Sequence, residues 1–349
     1  MNKDFYNRIN ELGSSNTLVH HDYLFALADK TAGILESECA LWRPLSSSNQ
    51  IGGFLDFTNP KLEQLPTIVV PDLHARAFFI SNLLNYSLTA DFLCCEKSMT
   101  VLEALEQNKI RIICVGDLLH SELRCKDRWI GAQEEFMSGV YNGPNMMQEM
   151  IESLNLLALV MELKCAFPQN FHILKGNHEN IMNVRSPGNF PFRKFANEGE
   201  MVRIFMEKEF GDDVTMVIFC FENALPLLAA LPQAIVSHAE PARAFSRDEV
   251  INGMNDDQVI LGLTWTENNA AQEGSVSQML KELLPPKEGI VPRYLGGHRP
   301  VKRMYLLRQE GSYVQIHNPQ KQHIALLYKN KSFNPDTDIV DIEQKIVLE

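Results

Sequence analysis

The chain has 349 residues, 45% apolar and 22% charged, with a net charge of −12 at pH 7. That length and balance suit a globular fold with a sizeable core, while the acidic excess argues against general nucleic-acid binding, which rests on clustered Lys and Arg. No apolar stretch approaches the ~20 residues of a membrane span, the start MNKDFYNRINELG lacks an apolar leader core, and the 7 cysteines lack CxxC spacing, so the expectation is a cytoplasmic protein without a disulfide framework.

In chain order, Leu24, Leu27, Ile34 and Leu35 fall near helical spacing, so residues 1–65 read as a mainly helical N-terminal extension. Its polar, Gly/Pro-punctuated end, 41–65, reads as a loop or linker. The main domain is expected over 66–330 and an acidic tail over 331–349. TIVV reads as a strand that delivers Asp72 and His74. The stretch ARAFFISNLLNYSL reads as a helix, and IICV as a strand that delivers Gly116 and Asp117. Met146, Met147, Met150, Ile151, Leu154, Leu157 and Met161 recur mostly at spacings of three and four, which predicts a core helix. FHILKG reads as a strand ending in Asn177, His178 and Glu179. The run TMVIFCFENALPLLAALPQAIVSHAEP reads as strand, short helical turn and strand, ending at His238. Residues 244–290 are polar and helical, and YLGG leads to His298. MYLLRQEGSYVQIHNPQKQHIALLY then reads as consecutive antiparallel strands, with turns at Glu310-Gly311 and Asn318-Pro319. His172, His317 and the pair His20-His21 read as structural or exposed.

The recurrence carries the functional signal. Apolar runs bounded by Gly or Pro suit buried strands, and sites in open α/β sheets gather beyond strand ends. Here such runs end, in order, in Asp72 and His74, Asp117, Asn177 and His178, His238, and His298. Carboxylate, amide oxygen and imidazole together suit a pair of transition-metal ions. Asp72 and His74, two apart, would face the same side of an extended segment, and the two oxygens of Asp117 can bridge two ions. Asn177 and His178 are adjacent and do not readily share one ion, so His178 is better placed to face substrate as a general acid. Two divalent ions outweigh the Asp72 and Asp117 charges, draw in an anionic ester and activate water.

The ordered set Asp-x-His, Gly-Asp, Gly-Asn-His-Glu, His and Gly-His resembles the calcineurin-like metallophosphoesterase superfamily over about residues 66–328. LPLLAALPQAIVSHAEP, LTWTEN and GGHRP look closest to its phosphoprotein phosphatase branch. The resemblance implies an α/β (α+β by some schemes) fold: a two-sheet β-sandwich flanked by helices, with a dimetal site at one sheet edge. It implies two divalent ions, manganese, iron or zinc. Asp72, His74 and Asp117 would hold the first, and Asp117, Asn177, His238 and His298 the second. His178 would be the catalytic acid while a metal-bridging hydroxide attacks a phosphomonoester. Several positions depart from the pattern. Pro71 stands where glycine is usual. His120 replaces an aspartate that orients the catalytic histidine, Ser121 replaces a phosphate-gripping arginine, and Ala239-Glu240 replace a glycine pair. Arg124, Arg128 or Arg243 would take over the grip, and Glu240 would repel phosphate or recognise a cationic group.

Three functions follow from this pattern. The first is a metal-dependent phosphatase acting on a phosphoprotein, nucleotide or small phosphoester. The second is a hydrolase of dinucleoside polyphosphates or phosphodiesters, and the third a non-catalytic interaction module.

Overall fold

A computed structural model describes residues 3–185 and 188–343, so positions 344–349 of the acidic tail lie outside the described residues. In chain order the strands are β1 (Phe54–Asp56), β2 (Thr67–Val70), β3 (Ser87–Leu88), β4 (Met99–Thr100), β5 (Arg111–Cys114), β6 (Phe171–Ile173) and β7 (Leu228–Leu231). They continue with β8 (Ala234–Ser237), β9 (Arg293–Gly296), β10 (Leu306–Arg308), β11 (Tyr313–Gln315), β12 (His323–Leu327) and β13 (Ile339–Asp341). One sheet runs β13-β12-β2-β5-β6 and the other β1-β7-β8-β9-β11-β10, with β3 and β4 paired separately. Within the first, β2, β5 and β6 are mutually parallel. Within the second, so are β8, β9 and β11.

The pleat explains how the sheets stack, because successive side chains point to opposite faces. Val69, Ile113, Ala325 and Leu327 of the first sheet meet Ala229, Leu231, Val236, Leu295 and Val314 of the second in an inner core. Ile68, Val70, Ile112 and Cys114 point the other way, under the helices Lys3–Ser14, His21–Glu36, Ala77–Asn85 and Pro144–Ala166. Leu228, Ala230, Ile235 and Tyr294 pack outward beneath Arg247–Asn252, Asp257–Thr264 and Ser275–Leu283. The result is four layers, helix, sheet, sheet and helix. Strands covered on both faces read as unbroken apolar runs instead of alternating ones. The Met-containing stripe of Pro144–Ala166 is core, with Met146, Met150, Leu154, Leu157 and Met161 all buried.

Four local expectations need correction. TMVIFCF is helical, part of Gly211–Ala224. Its β-branched content is overridden by a 3.6-residue period that buries Val214, Ile218 and Phe221, and by Asp212 and Asp213, which suit a helix N-terminus. The 41–65 connection is not all loop, since β1 lies in it and pairs parallel with β7. The antiparallel meander holds only for β10 and β11; after Asn318-Pro319 the chain crosses to the other sheet, where β12 pairs with β2. Finally, part of the tail is structured, as β13 borders β12.

A buried charge cluster fixes the end of helix His21–Glu36. Glu38 accepts from Arg43 Nη1 at 2.8 Å and from Lys164 Nζ at 2.6 Å, with His172 Nδ1 at 3.5 Å. Arg43 also donates to the carbonyls of Leu35, Gly52 and Ala224. Burial alone would raise the Glu38 carboxyl, but Lys164, His172 and Arg43 outweigh it and hold the group well below the usual range.

Candidate metal centre

The C-terminal ends of β2, β5 and β6 and of β8, β9 and β11 meet at one edge of the sandwich. The predicted site residues sit one to five residues beyond those ends. All are buried: Asp72, His74, Asp117, Asn177, His178, His238 and His298. His74 Nε2 lies 3.8 Å from Asp72 Oδ2 and 3.5 Å from Asp117 Oδ2. His238 Nε2 lies 3.5 Å from Asp117 Oδ2. Asn177 Oδ1 lies 2.8 Å from His238 Nε2 and 2.9 Å from His298 Nδ1. Two donor groups, Asp72–His74–His317 and Asp72–Asp117–His238, have ligand atoms within 4.8 Å of one another, as does His74–Asp117–His178. Asp117 therefore lies between the two halves of a dimetal site.

The approach is by turns, not by an extended segment. His74 has φ 44°, Asp117 φ 55°, His120 φ 61° and His298 φ 62°, so Asp72 and His74 come together through a turn and not, as expected, on one side of an extended segment. Left-handed backbone at non-glycine residues costs about 1–3 kcal/mol each and persists where surroundings over-determine it. Those surroundings are hydrogen bonds. His74 N–H donates to Asp117 O at 2.7 Å, and His298 N–H to the Asp72 carboxylate at 2.9 Å. His178 N–H donates to Asp117 Oδ1 at 3.0 Å. Glu179 accepts from the N–H groups of Asp117, Leu118 and Gly176, locking the two glycine turns to each other. Gly297 is required by close approach: a Cβ there would overlap Asp72 Oδ1. Gly297→Ala is expected to weaken metal binding by about tenfold or more, as displaced supporting groups do, measured by isothermal titration of the chelator-stripped protein.

The donor chemistry fits cations. His74 Nδ1–H donates to the His120 carbonyl at 2.9 Å and His238 Nδ1–H to the Val115 carbonyl at 3.0 Å. That leaves each Nε2 lone pair aimed inward, and His74 Nε2 has no hydrogen-bond partner among the described residues. Burial holds His74 down at about 3 and His298 at about 4. It also drives His178 and His238 well below the ordinary value, with neighbouring imidazoles adding to the effect. All four rings are neutral at pH 7, the form in which an imidazole can bind a metal ion. Burial pushes Asp72 up to about 6, and burial with Asp72 and Glu179 nearby raises Asp117 well above the usual carboxylate value. Bound cations reverse that preference for protons.

The remaining predicted residues divide. His120 lies beside His178, with Nδ1 to Nδ1 at 3.1 Å. Arg124 is paired with Glu152, Arg128 with Glu149 and Glu152, and Arg243 with Glu249. None of the three offers an unpaired guanidinium to the cluster. Ser121 donates to Glu149. Arg299 is paired with Glu267. Glu240 is buried and accepts from Arg308 and Gln309, so it anchors β10 and does not present a free acid to substrate. Sequence reasoning missed three neighbours. Glu122 and His317 are buried within the cluster, and Phe192 lies against the His178 ring at 3.7 Å between centroids. A signal for His317 was present, since the mainly apolar YVQI also ends in a histidine.

No family model and no curated protein matches the chain. Among solved structures it is similar to a protein serine/threonine phosphatase from Saccharomyces cerevisiae with similarity to human phosphatase PP5, at 13% identity and TM-score 0.61 over 98% of this chain and 95% of that one. It also overlaps a cold-active protein-tyrosine phosphatase of a psychrophilic Shewanella, at 9% identity and TM-score 0.47 over 80% and 81% of the two chains, a likeness too loose to carry an argument. The chain thus shares the fold of that phosphatase, and one edge of its two-sheet sandwich gathers ordered Asp, His and Asn side chains able to hold metal ions.

Proposed function

We propose that the protein is a metal-dependent phosphatase that hydrolyses phosphomonoesters. The observation that carries this reading is the convergence of Asp72, His74, Asp117, Asn177, His238 and His298 on one buried point, with His178 beside it. Two divalent ions held there supply a nucleophile from water at neutral pH and neutralise charge on phosphoryl oxygens. Asp72 and His74 would hold one, Asn177, His238 and His298 the other, and Asp117 both. His178 Nε2, 3.8 Å from Asp117 Oδ2, would give its proton to the leaving oxygen. His120 would accept from His178 Nδ1–H and so orient the ring. Near the cluster, Lys194 Nζ lies 2.5 Å from Glu122 Oε1, which is 3.7 Å from His74 Nε2. That ammonium, though paired with Glu122 as the arginines are with their own carboxylates, is a further cation that would meet an incoming phosphate. Of the two features that motivate a phosphodiester or dinucleotide reading, the altered GDLLHSE stretch and Glu240, the second is tied up by Arg308 and Gln309, which weighs towards the monoester. No helix among the described residues is long and apolar enough to cross a membrane. The cysteines are all free, which suits a reducing compartment such as the cytoplasm.

The test is hydrolysis of an aryl phosphate, phosphopeptides, nucleotides and an aryl phosphodiester by protein stripped with chelator and reloaded with Mn²⁺, Zn²⁺ or Fe²⁺. Stripped protein is expected to be inactive, reloaded protein to cleave monoesters first, and Asp117→Asn to stay inactive after reloading. Metal-loaded wild type with no turnover on the panel would count decisively against the proposal.

A further inference from the structure

We infer that His317 is a ligand of the ion held by Asp72 and His74, and that Glu122 is the carboxylate that orients it. The inference rests on the two-metal reading above and adds a donor which neither the motif order nor the resemblance assigns.

His317 lies two residues beyond β11 and is fully buried. Its Nε2 is 2.9 Å from Glu122 Oε2. A carboxylate only accepts, so Nε2 carries the proton and donates. In the neutral ring the lone pair is then on Nδ1. That nitrogen is buried, has no hydrogen-bond partner among the described residues and lies 3.9 Å from Asp72 Oδ2. Leaving a buried nitrogen unpartnered is unfavourable, so a plain core histidine is a poor account of it. Metal–nitrogen and metal–oxygen bonds are about 2.0–2.2 Å long, so two donors on one ion lie within about 4.4 Å of each other. His317 Nδ1 at 3.9 Å and His74 Nε2 at 3.8 Å from the same carboxylate oxygen both meet that limit. The His317 and His74 rings are 5.3 Å apart and tilted at 57°, so neither stacks over the other's donor atom.

The arrangement carboxylate, imidazole, ion is the usual way a protein fixes the tautomer of a metal-binding histidine. Glu122 is itself held by Lys194. With His317 the first ion has two imidazoles and two carboxylates. Imidazole suits zinc and iron, whereas magnesium prefers oxygen. The first position should therefore select zinc or iron over magnesium.

The experiment is isothermal titration of the chelator-stripped full chain with Zn²⁺ and with Mg²⁺, with ion counts by elemental analysis and folding checked by circular dichroism. Wild type should take up two zinc ions. His317→Ala should keep one at wild-type affinity and bind the other more than tenfold more weakly. Glu122→Gln, nearly isosteric, should weaken that same ion by about 10–100-fold. It carries the test if His317→Ala fails to fold. Folded variants that both bind two zinc ions as wild type does would overturn the inference while leaving the phosphatase reading intact. A wild type that binds fewer than two ions would overturn both.

Discussion

His178→Ala is expected to lower kcat on a phosphomonoester by about 10²–10⁴-fold, the usual contribution of a general acid, while two ions remain bound. The split matters, because His178 contacts the cluster through Nε2 at 3.8 Å from Asp117, too far to be its hydrogen-bond partner. A variant that also lost an ion would make His178 a ligand instead. The pH profile gives a second reading. Only the protonated ring can donate, so activity falls as pH rises through its pKa. Burial, with His74 and His120 beside it, holds that pKa well below the ordinary imidazole value of about 6.5. The falling limb should accordingly lie on the acid side of neutrality in kcat/KM. A carboxylate at position 120 would favour the charged ring, so His120→Asp should move that limb to higher pH. No movement would mean that His120 does not orient the acid.

Glu38→Ala is expected to destabilise the fold by about 3–5 kcal/mol, the cost of leaving buried charges without their partner. Arg43 and Lys164 are fully buried and both lean on this one carboxylate. Chemical denaturation of the chelator-stripped protein would measure the loss without interference from metal binding. The sign of the pH dependence follows from the depressed folded-state pKa. Below the unfolded value of about 4.3 the unfolded chain binds a proton that the folded one refuses. The contribution is therefore whole at neutral pH and drains away as pH falls below that value. The stability gap between wild type and Glu38→Gln should narrow from pH 5 towards pH 3. A gap that stays constant or widens in acid would show that the cluster is not held by an ionised Glu38.

The clustering of the site residues was legible in the sequence because strands buried on both faces leave a simple trace, a mainly apolar run that ends in polar side chains. Asp72, Asp117, Asn177, His238 and His298 each end such a run. His317 ends one too, but Asn318-Pro319 after it looked like a hairpin turn, and the crossing to β12 depends on where the other sheet lies. TMVIFCF was misread because its β-branched residues suit a strand locally, while its burial pattern is set by the helix layer outside. The fates of Arg124, Arg128 and Glu240 were not legible. Each depends on a partner, Glu152, Glu149 or Arg308, that only the folded chain brings near. The departures at His120 and Ser121 were visible, but their neighbours His178 and Glu149 give them meaning.

The donors also come from both sheets, so the centre spans a seam between halves of the chain that are far apart in sequence. Asp72 and His298, whose N–H bonds to its carboxylate, are separated by 226 positions. Such distant closures are slow because their entropy must be lost before any contact compensates for it. No early folding intermediate with only β2, β5 and β6 in place can therefore hold a pair of ions. Full metal uptake is expected to be one of the last events in refolding, a sign that the second sheet has docked on the first.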